Sequence, residues 1–172
     1  MIDLRGHGYS TQDEKFRITS WTYYTDKTFK KYPSDVIDVI NQVKKSIKKV
    51  SFNNYSIIGG DIGANTAVLV AQKMYPKPKS MVLLSPSVEF KGLTIASLDK
   101  PSPIAEVGHG PILVMCSRKD KQSIHQEMLL KKFVNTQYII NNYDNPKSGM
   151  LLIKNNPDAT KKIIELFNEN MK

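Results

Sequence analysis

Tyr55-Ser56-Ile57-Ile58-Gly59-Gly60-Asp61-Ile62-Gly63-Ala64-Asn65 is the stretch on which the fold turns. A short apolar run, Tyr55 to Ile58, meets a cluster of glycines, and from Ala64 to Tyr75 the apolar positions recur at helical spacing. Strand, sharp turn, helix is the implied unit. The turn Gly59-Gly60-Asp61-Ile62-Gly63 puts Asp61 between flanking glycines, which leave room for the neighbouring strand and helix around a strained central residue. A side chain held there stands clear of the sheet, beside the amide of Ile62 and the positive end of the following helix. Together these can stabilise an oxyanion. Taken alone, Gly-Gly-Asp also reads as an ordinary turn between any strand and helix.

Downstream the same alternation continues. Strands are expected at Met81 to Leu84, Ile112 to Cys116 and Tyr138 to Ile140, and a loop from Ser85 to Gly110. Helices are expected from Ser123 to Phe133 and from Asp158 to Asn168, the latter with Ile163, Ile164 and Phe167 as its buried stripe. Upstream, a strand stub at Ile2 to Leu4 leads into a long polar loop through Trp21, Tyr23 and Tyr24. Pro33-Ser34-Asp35 then opens a helix reaching about Val50, with Ser34 as N-cap and Val36, Ile37, Val39, Ile40, Val43 and Ile47 at helical spacing. Strands rich in β-branched residues that alternate with amphipathic helices imply βαβ units. The fold class is therefore α/β, a mostly parallel sheet with helices on both faces, in a single domain over residues 1–172.

Composition narrows the function classes. With 40% hydrophobic and 24% charged residues the chain is neither disordered nor fibrous, and it contains no apolar run long enough for a membrane span. Its start lacks the basic-then-apolar pattern of a secretory leader, so a cytoplasmic location is expected. The single Cys116 lies within an apolar run and reads as a buried structural thiol. A net charge of +9 comes almost wholly from scattered lysines, the arginines being Arg5, Arg17 and Arg118. The one dense group, Lys44, Lys45, Lys48 and Lys49, falls at a helix end where cations suit the dipole. A solvated face is the reading, not a nucleic-acid partner. Three histidines and one cysteine lie too far apart in sequence for a metal-ligand cluster, and no cofactor-binding motif is present. Asp13, Asp35 and Glu106 read as caps and solvated surface.

Two segments resemble the α/β-hydrolase family. Asp3-Leu4-Arg5-Gly6-His7-Gly8-Tyr9-Ser10 is similar to the D-x-R-G-H-G-x-S that follows that family's fourth strand, and Asp61-Ile62-Gly63-Ala64-Asn65 to its S-x-G-A-N. Leu83-Leu84-Ser85-Pro86 also suits it. Within the family the combination looks like bacterial esterases related to dienelactone hydrolases and serine aminopeptidases. The resemblance implies a partial α/β-hydrolase fold and a triad in the order nucleophile, acid, histidine. It puts Asp61 at the nucleophile position, Asp120 at the acid position and Ser148 at the histidine position, with the Ile62 amide as oxyanion donor.

Two of those positions depart from the family. A carboxylate nucleophile is known on this fold in haloalkane dehalogenases and epoxide hydrolases, but a histidine must still activate the water that clears the covalent ester. Neither Ser148 nor Lys147 is a ready base at neutral pH. His109 falls at the opposite edge of the sheet, about 20 Å away at roughly 3.3 Å per residue. His125 reads as a surface residue and His7 as structural. The three strands that precede D-x-R-G-H-G in the family, with their second oxyanion amide, are absent, so the expectation is either a longer native protein or a decayed remnant. The family's third strand lies between its fourth and fifth, and its absence would expose a sheet edge open to self-association.

The sequence thus predicts a non-catalytic relative of these hydrolases. The alternatives are an active hydrolase of small ester-like or carbon-halogen substrates that uses Asp61 as nucleophile, and a binding module that holds a small-molecule ligand or partner in the residual pocket. Asp61 is expected to be buried at the mouth of a pocket, with its pKa raised by desolvation and by Asp120.

Overall fold

A computed structural model describes residues 1–13, 15–47, 53–134, 138–144, 148–154 and 156–171, with 138–143 as backbone. Its centre is a parallel sheet of four strands in the order β1 (Ile57–Gly60), β2 (Met81–Leu84), β5 (Ile112–Ser117), β6 (Tyr138–Tyr143). Ile57 pairs with Met81, Met81 with Ile112, and Ile112 with Tyr138. Every residue of β2 and β5 is buried, because helices cover both faces of a parallel sheet.

The strand period of two divides the core. Met81, Leu83, Ile112, Val114 and Cys116 face one layer, packed with Ala64, Ala67, Val68 and Ala71 of α3 (Ile62–Lys73) and with Leu130 at the end of α4 (Lys121–Leu130). Val82, Leu84, Leu113 and Met115 face the other layer. There they meet Leu152 of α5 (Met150–Lys154) and Ala159, Ile163 and Leu166 of α6 (Pro157–Asn170). The alanine stripe lets α3 lie close on the sheet. Each fully buried Leu, Val or Met contributes about 1.5–3 kcal/mol.

The segment between β2 and β5 contains a small antiparallel hairpin, β3 (Glu89–Phe90) with β4 (Leu93–Thr94). Its two-residue turn holds Lys91 at φ 53° and Gly92 at φ 76°, the left-handed pair that such tight hairpins require. Asn65, fully buried on α3, clamps this segment. Its Nδ2 donates to Ser87 O (2.9 Å) and Leu93 O (2.7 Å), and its Oδ1 accepts from Ser87 N–H (3.1 Å).

Before β1 come a short helix α1 (Asp26–Phe29) and α2 (Tyr32–Ser46), which packs on α3. Residues Met1 to Leu4 form no strand ladder, contrary to the expected stub. Asp3 to Ser10 instead close on themselves. The Asp3 carboxylate accepts from Tyr9 N–H (3.0 Å), Ser10 Oγ donates to Asp3 O (3.0 Å), and Gly6 N–H donates to Ser10 O (2.7 Å). Arg5 ties the turn to α2 through a two-pronged pair with Asp35 (2.9 and 2.7 Å), and Tyr32 Oη donates to Arg5 O (2.8 Å).

Several element ends differ from the sequence expectation. Helix α2 begins two residues before Ser34, whose hydroxyl donates back to Lys31 O instead of capping, and it ends at Ser46, since Ile47, expected within the helix, is its non-helical C-cap at φ −111°, ψ 82°. The expected continuation to Val50, with Lys48 and Lys49, lies outside the described residues. Strand β1 runs on through Gly59 and Gly60, and α3 starts at Ile62. On α6, Ile164 is exposed and Leu166 takes its place in the buried stripe.

Candidate active site

Asp61 ends β1 and begins α3 at φ 50°, ψ −121°, a strained conformation for a residue with a Cβ. The surroundings hold it there. Its N–H donates to Leu84 O (2.9 Å) and its carbonyl accepts from Ala64 N–H (2.9 Å), so the backbone is fixed on both sides. Its side chain does not cap α3. A Cβ on Gly59 would collide with the Gly63 backbone and lie 2.9 Å from Ala64 Cα, and one on Gly60 would lie 2.9 Å from Met150 N. These two glycines are therefore steric requirements of the turn. Gly63 is not, for nothing lies within 4 Å of where its Cβ would be.

Ser148 stands against Asp61, and its hydroxyl donates to the carboxylate. The next residue, Gly149, is buried at φ 53°, and a Cβ there would run into the Asp61 carboxyl group. Gly149 N–H donates to Ser85 Oγ (3.2 Å), and Ser85, at the end of β2, is itself buried at φ 53°. Ser85 thus sets the position of the segment that carries Ser148. The sequence marked Ser85 only through its Ser-Pro pair and gave no sign of this role.

Asp61 is an exposed residue, a correction to the expected burial. Its pKa is nevertheless raised, first by desolvation among the atoms packed at its base and further by the charge of Asp120, against the hydrogen bond from Ser148. Asp120 moves the opposite way. Its carboxylate caps α4, taking Gln122 N–H and Ser123 N–H (both 3.1 Å) on Oδ1 and the Ser123 hydroxyl (2.6 Å) on Oδ2. The Ser123 hydroxyl is the largest cause of its lowered pKa, with the backbone donors adding and desolvation opposing. Both carboxylate oxygens are thus committed to the helix start.

The structure therefore brings Asp61 and Ser148 into contact and places Asp120 within electrostatic reach. The Ile62 N–H opens α3, one of the donors a first helical turn leaves free. His109 and His125 are exposed. His7 stacks on Trp21 (5.5 Å) and meets Tyr32 edge-on (6.0 Å), with its pKa lowered chiefly by desolvation. Its Nε2 is buried without a hydrogen-bond partner among the described residues, and so makes none to Asp61. Cys116 is buried with its thiol pushed up to about 12, first by desolvation and then by Glu127, which leaves it unreactive as a nucleophile. Asp35 and Asp13 are committed to Arg5 and Arg17, and Glu106 to Gln72. Lys147 lies outside the described residues. Among the described residues no group of three or more His, Cys, Asp or Glu could hold a metal ion, and no helix is long and apolar enough to cross a membrane.

The arrangement of a central parallel sheet with helices on both faces is similar in fold to solved hydrolases. The chain superposes on the Bacillus cereus carboxylesterase with a TM-score of 0.54 at 16% identity, over 83% of this chain and 64% of that one. It superposes on the Pyrococcus horikoshii acylaminoacyl peptidase, orthorhombic form, with a TM-score of 0.60 at 15% identity, over 86% of this chain and 29% of that one. The uncomplexed form gives 0.60 at 16% identity over the same shares. The chain has the α/β-hydrolase fold and spans less than two thirds of the length of these proteins. No protein-family model and no curated sequence matches it.

Proposed function

We propose that this α/β-hydrolase-fold protein does not turn over acyl esters. One observation carries the reading: the group that faces the Asp61 carboxylate is the Ser148 hydroxyl, which donates a hydrogen bond to it. A hydroxyl so placed occupies a lone pair of the would-be nucleophile and is no proton acceptor at neutral pH. Were Asp61 to displace a leaving group from an alkyl carbon, the ester formed would have no base to activate the water that clears it, and attack on an acyl ester would have to expel an alkoxide, with no group placed to protonate it, to leave a mixed anhydride. Asp120 is bound into the start of α4 and supplies no such base.

The test uses short acyl esters and haloalkanes with the intact chain, followed by rate and by protein mass. No turnover above buffer background is expected. A single mass increment lost on Asp61→Ala would identify a trapped ester, and sustained turnover lost on that change would overturn the proposal. Restoring Asp61→Ser together with Ser148→His then probes the positions, because triad members act as a unit and neither change alone should achieve much.

A further inference from the structure

In a parallel sheet all strands start at one edge, and here that edge lies opposite the one that carries Asp61 and Asp120. Each helix that returns to a strand start, α2 before β1, α3 before β2 and α4 before β6, ends there as well. This topology gathers lysines that look scattered in the sequence. Lys44 and Lys45 lie in the last turn of α2, Lys73 at the end of α3, Lys79 in the loop into β2, and Lys131 and Lys132 just past α4. The four strand starts, at a spacing of about 4.8 Å, span only about 14 Å, so the lysines that precede them share one face of the molecule.

Lys45, Lys73, Lys79, Lys131 and Lys132 are exposed, and no salt bridge among the described residues engages them. Described carboxylates near this edge do little to offset them. Glu106 accepts from Gln72 Nε2 (2.7 Å), Glu127 is buried, and Glu169 ends α6 on the other face of the sheet. At the opposite edge, by contrast, Asp26, Asp35, Asp61, Glu89 and Asp120 are interspersed with the cations. A helix end favours a cation, but at α3 that demand is already met. Lys77 Nζ donates to Ala71 O (3.0 Å) and Gln72 O (2.5 Å), so Lys73 and Lys79 are surplus to it.

Two apolar side chains project among these charges. Tyr75 is 89% exposed, and Ile47, at the end of α2, is 46% exposed. The loop beneath Tyr75 is anchored. Tyr55 Oη donates to Pro76 O (2.6 Å), Lys79 N–H donates to Tyr55 O (2.8 Å), and a Cβ on Gly110 would run into the Lys79 backbone. An aromatic ring and an aliphatic side chain held amid lysines suit a boundary with acidic headgroups outside and hydrocarbon within. Nucleic acid fits less well. Forked phosphate contacts use arginine, yet Arg5 and Arg118 lie at the opposite edge and Arg17 is paired with Asp13, while Ile47 offers bases no stacking face.

We propose that this edge is a docking surface for an anionic lipid bilayer: the lysines meet acidic headgroups, Tyr75 and Ile47 enter the interfacial layer, and the edge that carries Asp61 and Ser148 faces away from the membrane. The inference is independent of whether Asp61 turns over.

The probe is vesicles of phosphatidylcholine with about 30% phosphatidylserine, sedimented with the intact chain at about 0.1 M salt. Binding is expected, and it should fall by about tenfold or more on vesicles of phosphatidylcholine alone and again at about 1 M salt, where charges are screened within about 3 Å. Each lysine near such a surface strengthens binding by about fivefold, so replacing Lys73, Lys79, Lys131 and Lys132 together by glutamine should weaken it by about a hundredfold or more. The same change at Lys27, Lys31, Lys119 and Lys121, at the opposite edge, removes equal charge and should cost about threefold or less. Tyr75→Trp should add an emission that shifts to the blue on these vesicles, with Trp21 of the natural chain as the unshifted reference. The proposal fails if binding ignores phosphatidylserine, if both sets of lysine changes weaken it equally, or if the Tyr75→Trp emission does not move. It fails equally if a single-stranded oligonucleotide of about 15 residues binds more tightly than the vesicles and is lost on the first set of changes, which would make nucleic acid the occupant.

Discussion

Replacing Asp120 by alanine removes the acceptor of three hydrogen bonds at once, two from the Gln122 and Ser123 N–H groups at 3.1 Å and one from the Ser123 hydroxyl at 2.6 Å. Loss of an N-cap to alanine costs about 1 kcal/mol, and loss of a charge-assisted bond about 1 kcal/mol more. The expected total of about 2 kcal/mol corresponds to a fall of about 4–8 °C in Tm for a domain of this length. Asp120→Asn keeps an acceptor for both N–H groups and should cost less than half as much. The pH dependence has a definite sign. Because the folded pKa of Asp120 is lowered, its stabilisation is complete above the ordinary aspartate value of about 3.9 and is lost as pH falls through the folded one. Thermal melts of the natural chain and Asp120→Ala should therefore differ fully at pH 7 and converge on acidification. Equal Tm values at pH 7, or a gap that widens toward acid, would refute the assignment of Asp120 as a cap.

Asp61 should behave in the opposite sense. Its raised pKa means that the folded state prefers the protonated form, so its favourable contribution is present below about pH 3.9 and is lost as pH rises through the folded value. Asp61→Asn should accordingly raise the Tm at neutral pH and lose that advantage in acid, read by the same melts. Gly149→Ala should destabilise by about 1–2 kcal/mol from its left-handed backbone alone, and further through collision with the Asp61 carboxyl group. In an Asp61→Ala background the second part should vanish, giving a coupling that a double-mutant cycle in urea measures. Asn65→Ala leaves the carbonyls of Ser87 and Leu93 without their shared donor and should cost about 3 kcal/mol, with faster proteolysis across β3 and β4.

The central strands were legible because their residues obey a local rule. Met81 to Leu84 coincides with β2, and Ile112 to Cys116 falls one residue short of β5, both being apolar runs buried on two faces. Strand β1 was placed two residues early because Gly59 and Gly60 read as a turn. They are glycines for tertiary reasons, the approach of Gly63 and of Met150, which no local pattern encodes. Helices α1 and α5, four and five residues long, are too short to show a period and were missed. Asp61 and Ser148, which the family resemblance aligns with the nucleophile and histidine positions, meet in space. That Asp120 serves α4 as a cap was visible as Asp-Lys-Gln-Ser in the sequence but was overshadowed by the acid position that the family resemblance implies for it. Asp35 passed for surface because its partner, Arg5, lies thirty residues away.

The hold of Ser85 on Gly149 fixes where any loosening of the site must begin. The amide of Gly149 is latched to the end of a central strand, β2, whose four residues are all buried, and not to its own loop. Exchange at that single amide should consequently track opening at the end of β2 more than the mobility of the chain on either side, making it a built-in gauge of how tightly the sheet holds Ser148 against Asp61.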